Sequence, residues 1–404
     1  MNKEKSICGI EDNKCMENIG IVVVGYNRTE SLNRILGSLA RGVYKNSVDL
    51  IISIDKSDNQ QVIKIAQNYE WKYGKKIIRQ QKERLGLRKH ILSCGDFFCD
   101  YDALIILEDD LMVSPYFYEY ARHAVSFYKD DENIAGISLY THLWNSHAHF
   151  AFEPIKSEYD TYFLQYAQSW GQVWLKKQWL AFKEWYDSNI KIFEKGEEKL
   201  PLDIRKWPQT SWLKYHIKYC VDTNKYFVYP YISYTTDFTD VGVHNPETNT
   251  RFQVPLQYLP VSNYHFAPFN DEAIKYDVYF ENQNFFKDNI KDCEIDLYGA
   301  KYRANVCKKK YLLTTLELPY EIVKSYGLYL RPIELNILME VSGRDIFLYD
   351  LTSRKNIKCT DAYKVKLYDY FTKERFLMQD EYGAFLKNRL IKKYMRTKNK
   401  VRRN

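Results

Sequence analysis

The sequence predicts an α/β protein: a mostly parallel sheet flanked by helices, followed by a C-terminal extension of mixed α/β character. Three observations lead there. Short apolar runs alternate with amphipathic stretches from residue 19 to about residue 139. The runs are apolar throughout rather than at every second residue, as strands buried on both faces require. Beyond about residue 270 the alternation stops, and strand-like runs such as Asp345–Tyr349 mix with helical pieces.

The first strand is Ile19–Val24, broken by Gly25-Tyr26-Asn27-Arg28. Thr29 is placed to cap the next helix, whose apolar face is Leu32, Ile35, Leu36 and Leu39. Asp49–Ile54 is the second strand, ending at Asp55, and a helix follows through Val62, Ile65 and Ala66. Lys76-Ile77-Ile78 makes a short third strand. A helix opens at Leu85-Gly86-Leu87, and Ala103–Leu107 is the fourth strand. After Pro115 come a helix through Phe117, Tyr120 and Val125 and a buried strand at Ile134–Leu139. The stretch Trp144–Phe163 is irregular and polar-aromatic. Residues 189–208 are expected to be a loop, Trp212–Val221 a helix and Tyr226–Tyr231 a strand.

The expected organisation is a polar leader over 1–18, a sheet domain over 19–268 and an extension over 269–404, with the break at Ala267-Pro268-Phe269-Asn270. The leader lacks the apolar core of a signal peptide, and the longest apolar runs are strand-sized. A cytoplasmic protein is therefore expected, with any membrane association peripheral. The net charge is +7, concentrated at the end: Lys387–Asn404 carries nine basic residues and no acid. Such an end suits either a solvated terminus or peripheral contact with an anionic inner membrane face. Nucleic acid is not the expected partner. The eight cysteines show no zinc spacing and fit reduced thiols. Neither GxGxxG nor GxxxxGK[ST] occurs, which argues against a dinucleotide enzyme or a P-loop ATPase.

Parallel sheets bind ligands beyond the carboxyl ends of their strands. Three such ends here are polar: Asn27-Arg28, Asp55, and Glu108-Asp109-Asp110. Consecutive acids repel one another unless something positive or hydrogen-bonding compensates them. A divalent cation, Mn2+ or Mg2+, would do so and could screen a departing diphosphate. A solvated acidic turn is the other reading. Asn27 and Arg28 suit a base or diphosphate, and Asp55 a base or ribose; a salt bridge and an Asx turn are the plainer alternatives. Arg84, just before a helix start, can reach phosphate or pair with Glu83. Trp170-Gly171 offers a flat ring beside a residue that permits close approach, or simply a buried tryptophan. His244, with Asp240 nearby, can be a metal ligand, can orient an acceptor, or can be structural.

Taken together, these residues resemble the nucleotide-sugar-dependent glycosyltransferases of the GT-A, Rossmann-like fold. The similarity is to the N-acetylglucosaminyltransferase I type (family 13) and to bacterial family 2-like enzymes of surface polysaccharide assembly. It spans residues from about 19 to 265. Leu107-Glu108-Asp109-Asp110-Leu111 with Val113, Pro115 and Phe117 resembles the acidic signature and the helix after it. Asn27-Arg28, Asp55, Trp170-Gly171 and the segment from Ile232-Ser233 to Gly242-Val243-His244 match more weakly. The resemblance implies that Asp110 binds the metal and that Glu108 and Asp109 contact the donor sugar and ribose. It also implies an inverting displacement in which a base deprotonates an acceptor hydroxyl. One departure concerns that base: Trp212 is followed by Leu213 and Lys214, where the type enzyme has an Asp. Asp240 is the replacement candidate, with Asp203, Asp237 and Glu184 behind it.

The expected activity is transfer of a sugar from a nucleotide diphosphate, foremost UDP, to a glycan or lipid-linked acceptor in bacterial polysaccharide synthesis. Two rivals stand beside it: a sugar-nucleotide nucleotidyltransferase, and a catalytically silent glycan-binding protein on the same sheet.

Overall fold

A computed structural model of the chain describes residues 17–195, 199–238, 240, 252–284, 291–356, 359 and 363–372. These fall into two compact units. The first comprises the described residues up to Leu143 and Lys156–Asn284; the second comprises Trp144–Ile155 and the described residues beyond 290.

The apolar runs of the first unit form the expected strands. They are β1 (Ile19–Gly25), β2 (Leu50–Ile54), β3 (Lys76–Gln80), β4 (Ala103–Glu108), then a short strand that was not expected, β5 (Leu111–Val113), and β6 (Ile134–Ser138). Between them lie α1 (Thr29–Leu39), α2 (Gln60–Asn68), α3 (Gly86–Ser93) and α4 (Phe117–Tyr128). The short pair β7 (Trp144–Asn145) and β8 (Phe150–Ala151) belongs to the second unit. The first unit then resumes with β9 (Thr161–Leu164), β10 (Gln172–Leu175), α5 (Lys176–Ser188), α6 (Leu202–Lys206), α7 (Trp212–Thr223), β11 (Tyr226–Pro230), β12 (Thr235–Asp237) and β13 (Lys275–Tyr276).

Nine of these strands make one sheet in the order β13-β9-β11-β6-β10-β4-β1-β2-β3. The run β4-β1-β2-β3 is parallel throughout, as are β11-β6 and β13-β9. The mostly parallel expectation therefore holds, with β10 running against both of its neighbours and β9 against β11.

Side-chain alternation gives the sheet two buried faces. Ile21 and Val23 of β1, Leu50 and Ile52 of β2, and Ile105 and Leu107 of β4 share one core with Leu32, Ile35 and Leu36 of α1, Val62 and Ala66 of α2, and Tyr120 and Ala124 of α4. Each aliphatic side chain so buried stabilises by roughly 1.5–3 kcal/mol. The residues between them face the other way. There Trp174 of β10 stacks on Trp179 of α5 at 3.8 Å and meets Trp212 of α7 at 6.2 Å.

In the second unit, β14 (Cys293–Asp296), β15 (Tyr311–Thr314), β16 (Tyr320–Tyr326) and β17 (Ile346–Arg354) form a sheet ordered β14-β15-β17-β16. Short helices α8 (Ala300–Arg303) and α9 (Leu335–Leu338) and the longer α10 (Tyr363–Thr372) accompany it. This unit has the mixed α/β character expected of the C-terminal extension, with Trp144–Ile155 added to it.

Several local expectations change. Thr29 is the first residue of α1 rather than its cap; Arg28 holds the cap position without a capping side-chain bond, because a guanidinium has no acceptor to offer the helix amides. The loop expected over 189–208 contains α6. The break expected at Ala267–Asn270 lies inside the first unit, because Lys275 and Tyr276 pair with Phe163 and Leu164 to complete the sheet edge. Most of the polar leader and the whole basic tail lie outside the described residues. Among the described residues no helix is long and apolar enough to cross a membrane. Cys94, Cys99, Cys220 and Cys293 carry free thiols.

Candidate active site at the strand ends

Glu108 is the last residue of β4, paired with Val24 of β1. The chain turns at Asp109 and Asp110 and returns as β5, which pairs antiparallel with β12 so that Asp237 lies opposite Leu111. The Asp110 carbonyl accepts from the Phe238 amide at 3.0 Å. The acidic stretch is thus clamped between the sheet and a two-stranded ribbon, and is no free turn.

Arg28, four positions beyond Val24 on the neighbouring strand, reaches across to these acids. Its Nη1 donates to Asp110 Oδ2 at 2.9 Å, and its Nη2 pairs with Asp109 Oδ1. Burial alone would lower the Arg28 pKa, but Asp109 and Asp110 outweigh it and the value rises. One guanidinium does not neutralise the cluster. Burial raises the Glu108 carboxyl well above its ordinary range; Asp110, Asp109 and Asp237 add to the rise while Arg28 opposes it. Burial likewise pushes Asp109 up to about 6 against the pull of Arg28, with Asp110 and Asp240 adding to the rise.

Asp240 follows Phe238 by two positions. Its Oδ2 accepts from Ser31 Oγ at 2.6 Å and pairs with Arg34, both from α1. The Arg34 guanidinium in turn lies 4.0 Å from the Phe238 ring centre. Ser31 and Arg34 escape a sequence reading, since they sit 209 and 206 residues from their partner. The one available signal was a serine buried beside the apolar face of α1. Both contacts hold the Asp240 side chain in place against α1.

Asp55 is differently occupied. Its Oδ1 accepts from the Lys56 and Leu85 amides, and its Oδ2 from the Gly86 amide, each at 2.9 Å. The carboxylate thereby satisfies the open N-terminus of α3. Asn27 is exposed, and its carbonyl accepts from Asn59 Nδ2 at 2.9 Å. Arg84 is exposed, with its guanidinium 5.0 Å from the Tyr26 ring centre.

Trp170 is half-buried and packs between Tyr140 at 4.9 Å and Phe252 at 4.7 Å. Gly171 has φ +92°, and a Cβ there would sit 2.7 Å from Thr235 Cγ2, so both its conformation and its space call for glycine. Of the other candidates for the base, Asp237 is buried and close enough to Glu108 to raise its carboxyl. Glu184 is exposed on α5 and Asp203 lies in the first turn of α6, on elements that do not carry the acids. His244 lies outside the described residues.

The fold therefore gathers five carboxylates (Glu108, Asp109, Asp110, Asp237 and Asp240) against two guanidiniums, Arg28 and Arg34. A divalent cation fits that donor set, which is all oxygen and carries surplus negative charge. The described residues hold no cluster of three or more potential ligands. Mn2+ or Mg2+ bound together with a diphosphate needs only one or two protein carboxylates.

No family model matches the sequence, and no curated protein matches it. Solved structures with a similar chain trace include a mannosyltransferase from Pyrobaculum calidifontis in complex with GDP-Man and Mn2+. That alignment has 11% identity and a TM-score of 0.30, and covers 40% of this chain and 45% of the other. TarS from S. aureus, residues 1–349, aligns at 12% identity and a TM-score of 0.35 over 54% and 59% of the two chains. GalNAc-T7 with UDP, GalNAc and Mn2+ aligns at 13% identity and a TM-score of 0.36 over 55% and 43%. The alignments thus span about half the length of these structures.

Proposed function

We propose that the protein is a metal-dependent glycosyltransferase that takes a sugar from a nucleotide diphosphate donor, foremost a UDP-sugar. The observation that carries this reading is the surplus of carboxylates over guanidiniums at the carboxyl end of a parallel sheet. That is where such sheets bind ligands, and the surplus calls for a cation. Asp110, the more exposed of the two aspartates that meet Arg28, would hold Mn2+ or Mg2+, with His244 as a further ligand. The bound ion would screen the charge developing on the departing diphosphate.

The chain's own groups supply the rest. Arg28 lies where it can shift from the carboxylates toward diphosphate oxygens once the cation shares the negative charge. Glu108 and Asp109 face donor sugar and ribose, while Asn27 and Arg84 line the exposed rim. Trp170, spaced by Gly171, presents a flat surface to a sugar. Asp55 acts by fixing the start of α3 behind the donor. Asp240 is the base candidate once Arg34 and Ser31 release it, with Asp237 second, and an inverting displacement follows if either takes the acceptor proton. The acceptor is a glycan or lipid-linked glycan of bacterial surface polysaccharide assembly, with the basic tail on the inner face of the membrane.

A thermal-shift panel of UDP- and GDP-sugars, with and without Mn2+, tests the donor. A bound donor raises the melting temperature by mass action, and only when Mn2+ is present. Released nucleoside diphosphate supports transfer, whereas pyrophosphate would support a nucleotidyltransferase. Asp110→Ala should reduce turnover on the order of 100-fold or more without lowering the melting temperature. Full activity in that variant would sink the metal assignment.

The engagement of Asp240 by Ser31 and Arg34 favours one second reading, a catalytically silent glycan-binding protein. Any Mn2+-dependent hydrolysis of a donor that is lost in Asp110→Ala excludes it.

A further inference from the structure

Gln172 is fully buried, yet neither its Oε1 nor its Nε2 has a hydrogen-bond partner. A buried amide left in that state is destabilising compared with an apolar side chain of the same shape. Its position on the sheet says what it faces. Gln172 of β10 lies directly opposite Ile106 of β4, so the two side chains leave the sheet on the same face. Glu108 is two residues along β4 from Ile106 and shares that face. Gln172 and Glu108 are therefore diagonal neighbours, within reach of two long side chains.

The polar neighbour on the other flanking strand is already committed. Ser138 of β6, opposite Gln172 on the other side, donates to the Tyr140 carbonyl at 2.6 Å and accepts from the Tyr140 amide at 3.0 Å. Backbone placement of the glutamine is firm: Gly171 holds its left-handed conformation against Thr235, and the Thr235 hydroxyl donates to the Trp170 carbonyl at 2.6 Å. Glu108 is the last residue of its strand, where the chain turns into Asp109 and Asp110, and is half-buried.

We infer that Gln172 is a positioning residue for Glu108: its amide, on the sheet floor diagonal to Glu108, binds the Glu108 carboxyl and aims it at the donor sugar when a nucleotide sugar enters the site. This rests on the donor reading proposed above. With a donor bound, Glu108 becomes the partner that the buried amide lacks, and the amide, able both to donate and to accept, fixes the direction of that carboxyl. The nucleoside diphosphate part of the donor does not depend on it.

Gln172→Met keeps the length of the side chain and removes its hydrogen bonding. Calorimetric titrations with Mn2+ present would use UDP-glucose and UDP-N-acetylglucosamine, with UDP as the reference. The variant should bind at least one of the two sugars roughly tenfold more weakly, bind UDP within about twofold of the original chain, and melt no lower without ligand. A fall in melting temperature, with UDP and UDP-sugar affinities falling in parallel, would show a structural amide and overturn the inference. So would unchanged affinities throughout. If the unsubstituted chain binds neither UDP nor either UDP-sugar, the UDP-sugar reading fails and this inference falls with it. If it binds them and the variant binds them equally well, the inference alone fails.

Discussion

Asp55 after β2 and Asp109 after β4 flank the same central strand, and they are buried to the same degree, 4% and 3% exposed. Their partners separate them. Asp55 accepts three backbone N–H bonds, each of fixed direction, from Lys56 and the start of α3. Asp109 has one guanidinium, which it shares with Asp110, beside the further acid Glu108. A buried carboxylate met by backbone amides is complete within the fold. One that competes with neighbouring acids for a single cation is complete only with something from outside. Equal burial at neighbouring strand ends thus hides two arrangements, one that holds a helix start and one that shares a single guanidinium among neighbouring acids.

Three substitutions break or sharpen that contrast. Arg28→Ala should have the largest effect on stability, since it strands two aspartates at once: a loss of about 2–4 kcal/mol in urea unfolding with a chelator present. Mn2+ should restore part of that loss, and a larger part than it adds to the unsubstituted chain. If Mn2+ has equal effects on both, the cation does not occupy the place the acids create. Asp55→Ala should cost about 2 kcal/mol by orphaning the first amides of α3, and here Mn2+ should restore nothing. A metal-dependent recovery at Asp55 would erase the distinction between the two acids. Ser31→Ala is the smallest change, about 1 kcal/mol or less, because Arg34 still pairs with Asp240. Urea unfolding measures this as well. A loss as large as that of Arg28→Ala would mean that the Asp240 contact is as central to the fold as the acidic cluster.

The legible parts of the site were those built from consecutive residues. Four apolar residues running into Glu108-Asp109-Asp110 mark a strand end with surplus charge, whatever the rest of the chain does. Arg28 was legible as a polar strand end but not as the partner of Asp109 and Asp110, 81 and 82 residues away. The helix start at Leu85-Gly86 was visible, and Asp55 was visible as a strand-end acid. That the two meet, turning a candidate ligand contact into a helix cap, was not. The same holds for β10. The sequence predicts no strand at Gln172–Leu175, because its pairing with β4 and β6 involves no neighbour in the chain.

The sequence by itself determined the strand and helix alternation, the two-face burial of the sheet and the identity of the acidic end of β4. All three follow from apolar periodicity and composition within about ten residues. Only the tertiary structure decided which charges meet: Arg28 with Asp109 and Asp110, Arg34 and Ser31 with Asp240, and the α3 amides with Asp55. It also decided that the first unit extends past residue 268, because Lys275 and Tyr276 complete the sheet edge against Phe163 and Leu164. The physical reason is one of range. Apolar burial depends on local pattern, while pairing a buried charge or a sheet edge depends on segments that only folding brings together.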